Sequence, residues 1–173
     1  MMQHVNIEIK ARCENPEKIR EFLQSQNAEF KGTDYSIDIY FKVKSGRLKL
    51  RKGNIENYLI SYSREDKFGP KQSNVSLFET SKESNLEELL TNTLGVLVKV
   101  KKRREIYFID NVKFHIDDVK GLGSFVEIEA IDCAEGIGKE ELLQQCNKYM
   151  ESFGIKKEDL VDCSYSDLLI KKS

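Results

Sequence analysis

Polar and apolar side chains alternate strictly in the first segment of the chain. In NIEIKAR, residues 6–12, Ile7, Ile9 and Ala11 alternate with polar residues. Successive side chains of a β-strand point to opposite faces, so this pattern predicts a strand with one apolar and one polar face. The same period of two predicts further strands over residues 33–41, 47–51, 57–64, 74–79, 96–109, 112–119 and 124–131.

Turn residues separate these strands. Ser45-Gly46, Gly53-Asn54 and Asp110-Asn111 predict tight turns, as does the GLG segment at 121–123. Residues 65–73, which contain Gly69-Pro70, are predicted to form a loop. The segment 96–109 is either one long strand or a bent pair. Short connections between strands favour an antiparallel meander.

Three segments carry apolar residues at helical spacing instead. Asn15 is a predicted N-cap, with Pro16 at the first helical position. Gly95 and Gly154 are predicted to end the second and third helices. The predicted buried faces are Ile19, Phe22 and Leu23 in the first helix, Leu86, Leu89, Leu90 and Leu94 in the second (85–94), and Leu142, Leu143, Cys146, Tyr149 and Met150 in the third.

Eight long strands with few helices predict an α+β fold. We expect an eight-stranded antiparallel β-barrel, closed or nearly closed, because closure removes exposed sheet edges. The 173 residues suit one domain, 1–173. The C-terminal segment SYSDLL, residues 164–169, is either a lid or a docked helix.

Composition excludes several classes of protein. The four cysteines include no C-x-x-C pair, which argues against a zinc ribbon or a redox motif, and we expect them to be reduced. Only two histidines are present, so a histidine-rich metal centre is not expected. The net charge of −1 gives no field that attracts nucleic acid. Without a membrane-spanning run or a signal-peptide core, we expect a soluble, cytoplasmic protein. Its oligomeric state is open, with a homodimer as one alternative.

The charged side chains lie on shared strand faces, and these faces allow two interpretations. If they point outward, the interior is a packed apolar core or a hollow, lipid-binding barrel. If they point inward, the three helices cover an apolar outer face, and the buried charges need a ligand of opposite sign. The residues that share faces are Arg47, Lys49 and Arg51; Lys102 and Arg104; Lys113, His115 and Asp117; and Glu127 and Glu129.

An inward arrangement suits a polyanion bound with metal ions. The basic residues of two strands could hold phosphate oxygens, and Arg51 and Arg104 could do so bidentately. Glu127 and Glu129 lie about 6.5 to 7 Å apart along one strand and could share a divalent cation with a phosphate. Any metal is expected on oxygen ligands, and Mg²⁺, which binds one or two carboxylates together with phosphate oxygens, fits. A triphosphate would match both the basic residues and a metal held by the glutamates.

Six motifs in order resemble the CYTH family, the triphosphate tunnel metalloenzymes, which include class IV adenylyl cyclases and thiamine triphosphatases. The likeness covers essentially the whole chain and implies a charged tunnel that binds a triphosphate and its metal, Mg²⁺ or Mn²⁺. The motifs are NIEIK (6–10), DIYF (38–41), GRLKLR (46–51), KRREIYF (102–108), FHIDDVKGLGSFVEIE (114–129) and SYSDLL (164–169).

The resemblance also assigns residue roles by position. Triphosphate-binding residues would be Lys10, Lys49, Arg51, Lys102 and Arg104. Metal ligands would be Glu8, Asp117, Glu127 and Glu129. Catalytic residues would be Glu8, Lys10, Glu127 and Glu129.

The chain departs from the family pattern at three places. Asn6 stands where the family has a glutamate, and a neutral amide oxygen is a poorer ligand for a hard cation than a carboxylate. The strand 57–64 has no clear counterpart of the family's tunnel lysine, and Arg64 is the candidate replacement. The fifth strand offers Asn74 and Ser76 in place of an inward glutamate.

These features support one leading function and its alternatives. A class IV adenylyl cyclase would convert ATP into cyclic AMP and pyrophosphate, and this branch is the closest resemblance. The first alternative is an inorganic, nucleoside or thiamine triphosphatase. A second alternative, suggested by Asn6, is a binder of nucleotide or polyphosphate without catalysis. The hollow lipid-binding barrel requires Glu127 and Glu129 to face water.

Overall fold

A closed ring of eight strands forms the centre of the molecule, as predicted. The computed structural model describes residues 2–64, 66–132 and 136–173, and side chains from residue 5 onward. Glu65 of the predicted loop and Cys133 lie outside these residues. The strands are β1 (Met2–Arg12), β2 (Glu29–Phe41), β3 (Arg47–Lys52), β4 (Asn57–Arg64), β5 (Lys71–Glu79), β6 (Val96–Ile109), β7 (Val112–Val119) and β8 (Gly123–Ile131).

Each strand pairs antiparallel with two neighbours, and the ring runs β1-β5-β4-β3-β2-β6-β7-β8. The strand β1 closes the barrel, because it lies between β5 and β8. Residues 96–109 form one continuous strand rather than a bent pair. The strand β5 begins at Lys71, so the predicted loop at 65–73 was drawn too long. Its backbone pairs with β1 as early as Lys71, and this long-range pairing is invisible to a local pattern.

The helices lie outside the barrel. They are α1 (Pro16–Ser25), α2 (Leu86–Leu94), α3 (Lys139–Ser152) and α4 (Tyr165–Lys172), with a short 3₁₀ turn at Lys157–Asp159. Asn15 caps α1 by accepting a hydrogen bond from the backbone N–H of Lys18, as predicted. Gly95 ends α2 with a φ of 77°, where a side chain would be strained. Among the described residues, no helix is long and apolar enough to cross a membrane.

The main hydrophobic core lies between the barrel's outer face and two of these helices. Ile7 and Ile9 of β1 pack in one cluster with Leu23 of α1 and Leu142 and Cys146 of α3. The thiol of Cys146 lies 3.1 Å from the carbonyl oxygen of Ile7 and is free, as are the other two described cysteines. The apolar faces of the strands therefore point outward to the helices.

Two residues of the predicted helix faces are exposed. The helix α2 packs on β2 and β3 through Leu86, Leu90 and Leu94, which are partly buried, whereas Leu89 is 58% exposed. In α3, Leu143 is also exposed. These two helices contact the barrel along a stripe narrower than the apolar pattern of their sequence.

Candidate functional site

The charged faces of β1, β2, β3, β6, β7 and β8 point into the barrel, whereas β4 and β5 line it mainly with tyrosine and aliphatic side chains. Asn74 and Ser76 of β5 are not among the lining residues, so they do not take the place of an inward glutamate. All eight strands contribute side chains to an interior cavity, and Glu127 and Glu129 are among them. The interpretations with outward charges, including the lipid-binding barrel, are therefore wrong. The charged residues that line the cavity are Glu8, Lys10, Asp38, Lys49, Arg51, Glu56, Arg64, Arg104, Lys113, Glu127 and Glu129.

One wall of the cavity gathers three cations around a single carboxylate, and we call this group the Asp38 cluster. The carboxylate of Asp38 lies 3.0 Å from Nζ of Lys49, 2.8 Å from Nε of Arg51 and 2.8 Å from Nζ of Lys102. Asp38 faces Arg51 directly across the β2–β3 pair. Even with Glu56, which also pairs with Arg51, two carboxylates face the four basic residues Lys49, Arg51, Lys102 and Lys113, so this wall has an excess of positive charge.

The acid–base properties of the Asp38 cluster follow from this imbalance. Burial alone would raise the pKa of Asp38, but Arg51, Lys102 and Lys49 hold it well below its usual value. The pKa of Lys102 is lowered to about 7, first by burial and then by the nearby arginines, despite the attraction of Asp38. Lys102 is the member of the cluster whose charge changes near neutral pH.

A second carboxylate, Glu56, extends this wall from the turn between β3 and β4. Its carboxylate accepts a hydrogen bond of 2.6 Å from Nη1 of Arg51 and pairs with Lys113 of β7. The sequence analysis did not select Glu56. A single glutamate in a turn belongs to no periodic pattern, and only the folded turn carries it to the cavity.

The opposite wall is centred on Glu127. Its carboxylate lies 3.2 Å from Nζ of Lys10, 2.8 Å from Nη2 of Arg104 and 3.0 Å from Nδ1 of His115. In the sheet register Lys10, Glu127 and His115 occupy one row across β1, β8 and β7. Burial would raise the pKa of Glu127, but Arg104 and Lys10 hold it well below its usual value. Glu127 is therefore ionised at neutral pH.

Asp117 lies deeper in the wall and is fully buried. Its carboxylate accepts hydrogen bonds of 2.7 and 2.5 Å from Nε and Nη2 of Arg104, and a third of 2.8 Å from the hydroxyl of Tyr165. In this arrangement Asp117 orients Arg104. Its assignment as a metal ligand stays a prediction.

The remaining predicted acids lie side by side on β1 and β8. Glu8 is directly opposite Glu129 in the register and forms an ion pair with Arg64 of β4. Arg64 therefore lines the cavity on β4, the strand in which the family has a tunnel lysine. Asn6 is buried in the same lining, and its Oδ1 has no hydrogen-bond partner among the described residues.

Three side chains of this wall could together hold a divalent cation. Ligand atoms of His115, Glu127 and Glu129 all lie within 4.8 Å of one another. Two carboxylates with one imidazole form a donor set that binds divalent metals in proteins. The residues present therefore fit a metal, and two of the predicted ligands belong to this group.

The C-terminal segment closes one end of the cavity. Tyr165 at the start of α4 lines the cavity, and Nζ of Lys10 lies 3.9 Å from its ring centre. Nζ of Lys71, which is buried, donates to the carbonyl oxygens of Val161 and Asp162 at 3.2 and 3.1 Å. Neither residue was predicted as a site residue, because Tyr165 reaches the cavity and Lys71 anchors the preceding residues only through this long-range docking.

The chain thus forms a closed antiparallel barrel whose interior cavity is lined by charged side chains of both signs. A family model described as the CYTH domain matches residues 4–165, so the chain belongs to that family, as the motifs indicated.

Three individual proteins are similar to this chain. The chain is 25% identical to "Putative adenylate cyclase MJ0240" of Methanocaldococcus jannaschii, covering 95% of this chain and 98% of that protein. The solved structure of the PH1012 protein from Pyrococcus horikoshii OT3 has a TM-score of 0.79 at 29% identity, covering 94% of this chain and 98% of that one. A Hippeastrum protein described as having a dominant triphosphatase activity shares the fold, with a TM-score of 0.58 at 16% identity over 96% and 95% of the two chains.

Proposed function

We propose that this protein binds a triphosphate-containing small molecule in the barrel cavity and converts ATP into cyclic AMP and pyrophosphate, as a class IV adenylyl cyclase. The observation that supports this proposal most strongly is the Asp38 cluster, in which Lys49, Arg51 and Lys102 share one carboxylate. Buried cations in excess of their counterions favour an anionic ligand, because phosphate oxygens supply the missing charge.

The cationic residues would contact the ligand from two sides. Lys49 and Arg51 line one side of a bound triphosphate, and Arg104 and Lys10 reach it from the other. Lys102 pairs with Asp38 and is not among the residues that line the cavity, so it would act on the ligand through its charge. Arg104 is fixed by its two hydrogen bonds to Asp117, so its guanidinium is oriented before the ligand arrives. Residues held in this way keep the phosphorus atoms in line, which lowers the entropic part of the barrier.

Glu127 and Glu129 would hold a divalent cation, with Glu8 and Asp117 as further proposed ligands. A bound Mg²⁺ or Mn²⁺ stabilises negative charge on the phosphate oxygens. Lys10 lies 3.2 Å from Glu127 and orients that carboxylate. Tyr165 and the C-terminal segment cover one end of the cavity and exclude water from it.

Hydrolysis of a triphosphate is the second candidate function. The fold supports it, since the Hippeastrum protein of the same fold is described as having a dominant triphosphatase activity. Inorganic, nucleoside and thiamine triphosphates are the candidate substrates. The same charged walls serve both reactions. The reactions differ in which phosphorus atom is attacked, whereas the triphosphate group that the walls bind is the same.

A panel assay distinguishes these reactions. Purified protein is incubated with ATP, GTP, inorganic triphosphate or thiamine triphosphate, each with Mg²⁺ or Mn²⁺, and the products are resolved. Cyclic AMP with pyrophosphate is the expected result, whereas orthophosphate alone would assign the protein to the triphosphatases. Triphosphate binding without any product would contradict both reactions and support the non-catalytic binder.

Replacement of Arg51 by alanine should weaken triphosphate binding by more than tenfold. Arg51 belongs to the Asp38 cluster, and its guanidinium can bind an anion through two N–H groups. A buried hydrogen bond to a charged group contributes about 1.5 to 3 kcal/mol, or more than tenfold in affinity. Calorimetry with inorganic triphosphate measures the loss. Lys52→Ala is the matched control, because Lys52 is the next residue but pairs with Glu87 on the outer face. Equal losses in the two variants would contradict an interior triphosphate site.

The affinity for triphosphate should fall as the pH rises above about 7. The pKa of Lys102 is about 7 in the free protein, and adjacent phosphate oxygens would raise it, so binding takes up a proton. The affinity is highest below the free pKa and decreases by up to about tenfold per pH unit above it. Calorimetry from about pH 7 to about pH 9 measures this slope. Lys102→Arg should flatten it, and an unchanged slope would exclude Lys102 as its source.

Four further expectations stand as proposals. We place the protein in the cytoplasm and treat residues 1–173 as one domain. We expect no nucleic-acid or membrane partner, and a homodimer is one alternative for its assembly. Light scattering of the purified protein tests the last of these.

A further inference from the structure

His115 is a buried histidine that faces the two carboxylates of the acidic wall. Its Nδ1 lies 3.0 Å from Oε2 of Glu127 and 3.7 Å from Oε1 of Glu129. We propose that His115 is a metal ligand through Nδ1 and that, with Glu127 and Glu129, it forms a mixed nitrogen–oxygen site that selects Mn²⁺ over Mg²⁺. This inference rests on the proposed function, because it concerns the metal that accompanies the triphosphate.

The position of His115 leaves its ring few other roles. Only 1% of the residue is exposed, so solvent does not satisfy it. Its Nε2 has no hydrogen-bond partner among the described residues, and the two glutamates are the carboxylates within 4 Å of Nδ1 there. All the polar contacts found for the ring are therefore directed at the pair of residues best suited to bind a cation.

The sheet holds the three groups in place. His115 is directly opposite Glu127 in the β7–β8 register, and Glu129 follows two residues later on the same face of β8. Side chains directly opposite in an antiparallel pair have Cβ atoms about 4.5 to 5.5 Å apart. A site built on paired strands needs little rearrangement to bind, because the backbone is fixed by the ladder.

Metal binding requires a neutral imidazole. A neutral imidazole has one nitrogen with a free lone pair. If Nδ1 carries the proton it donates a hydrogen bond to Glu127, whereas metal binding at Nδ1 requires the other neutral tautomer, in which the proton is on Nε2. The two arrangements predict different spectra.

An imidazole ligand changes which cation the site prefers. Mg²⁺ favours oxygen ligands and keeps several water molecules, whereas transition metals accept imidazole nitrogen more readily. An all-carboxylate site would have no such preference. The earlier expectation of oxygen ligands alone is thereby replaced, since it followed from the small number of histidines and not from their placement.

Pulsed electron paramagnetic resonance with Mn²⁺ alone tests the proposal. The wild-type protein should show the nitrogen coupling of a directly bound imidazole. Labelling histidine with ¹⁵N should change that coupling, which identifies histidine without any substitution. His115→Gln should remove the coupling, and His4→Gln is the matched control that should retain it, because the sequence has only these two histidines. The affinity of His115→Gln for Mn²⁺ should fall at least about tenfold, with a smaller change for Mg²⁺.

Two outcomes would contradict the assignment of His115 as a metal ligand. Bound Mn²⁺ without histidine coupling in the wild type would overturn the proposal and leave the proposed function intact. The absence of saturable Mn²⁺ binding would also overturn it. The proposed function fails separately, when neither triphosphate binding nor product is found with Mg²⁺. If His115→Gln does not fold, as judged by circular dichroism, the ¹⁵N-labelled wild type and His4→Gln still decide the question.

Discussion

Replacement of Arg104 by leucine is expected to lower the free energy of unfolding by about 3 to 5 kcal/mol at neutral pH. Arg104 is 3% exposed and binds the carboxylates of both Asp117 and Glu127. Without it, two buried negative charges lose their main counterion, and such uncompensated charges are costly. Denaturant unfolding measures the loss. Arg103→Leu is the matched control, because Arg103 lies on the outer face, is partly exposed and pairs with Glu105.

The destabilisation should depend on pH in a defined direction. In the wild type the pKa of Asp117 is lowered, since Arg104 outweighs the effect of burial, so stability is lost as the pH falls through that value. In Arg104→Leu burial should raise the pKa of Asp117 above its unfolded value, and stability should be retained at low pH. The difference between the two proteins should shrink as the pH decreases. A difference that is independent of pH would contradict the role of charge.

Replacement of Glu127 by glutamine should reduce turnover by at least about 100-fold, because even outer partners of a metal site contribute about 10-fold to 100-fold. The substitution keeps the shape of the side chain and removes the negative charge that Lys10, Arg104 and His115 share. Without that charge the proposed cation is held less tightly and Lys10 and Arg104 lose their common anchor. Steady-state kinetics with the substrate identified in the panel assay measures the effect.

A second buried glutamate provides the control for this experiment. Glu105 lies on the outer face of β6 and also binds two arginines, Arg20 and Arg103, at 2.8 and 2.7 Å. Glu105→Gln should lower stability and leave turnover per folded molecule unchanged. If both glutamine variants lose activity to the same degree, the effect arises from folding rather than from the cavity.

Strand alternation predicted most of this architecture. In NIEIKAR the apolar row packs under the helices, and Glu8 and Lys10 of the polar row point into the cavity. The pattern alone did not distinguish inward from outward charges, since a strand with two unlike faces fits either arrangement. The presence of three amphipathic helices favoured inward charges, because such helices need an apolar outer face to cover.

The sequence did not reveal the partners of the predicted cations. Asp38 was noted only within a family motif, although it is the shared counterion of three basic residues. Glu56 and Tyr165 reach the cavity from a turn and from the C-terminal segment. Local periodicity describes which face a residue occupies and carries no information about contacts between distant segments.

Closure by β1 has a consequence for how the barrel assembles. The strand pairs with β5 on one edge and with β8 on the other, so Lys10 meets Glu127 only after the segment 123–131 is available. Contacts between such distant segments form slowly, because a long loop must close before they are gained. Until then β1 keeps an unpaired edge that can join another chain. Release from the ribosome before β8 has folded should therefore favour aggregation, and the wall centred on Glu127 should form in the last step of folding.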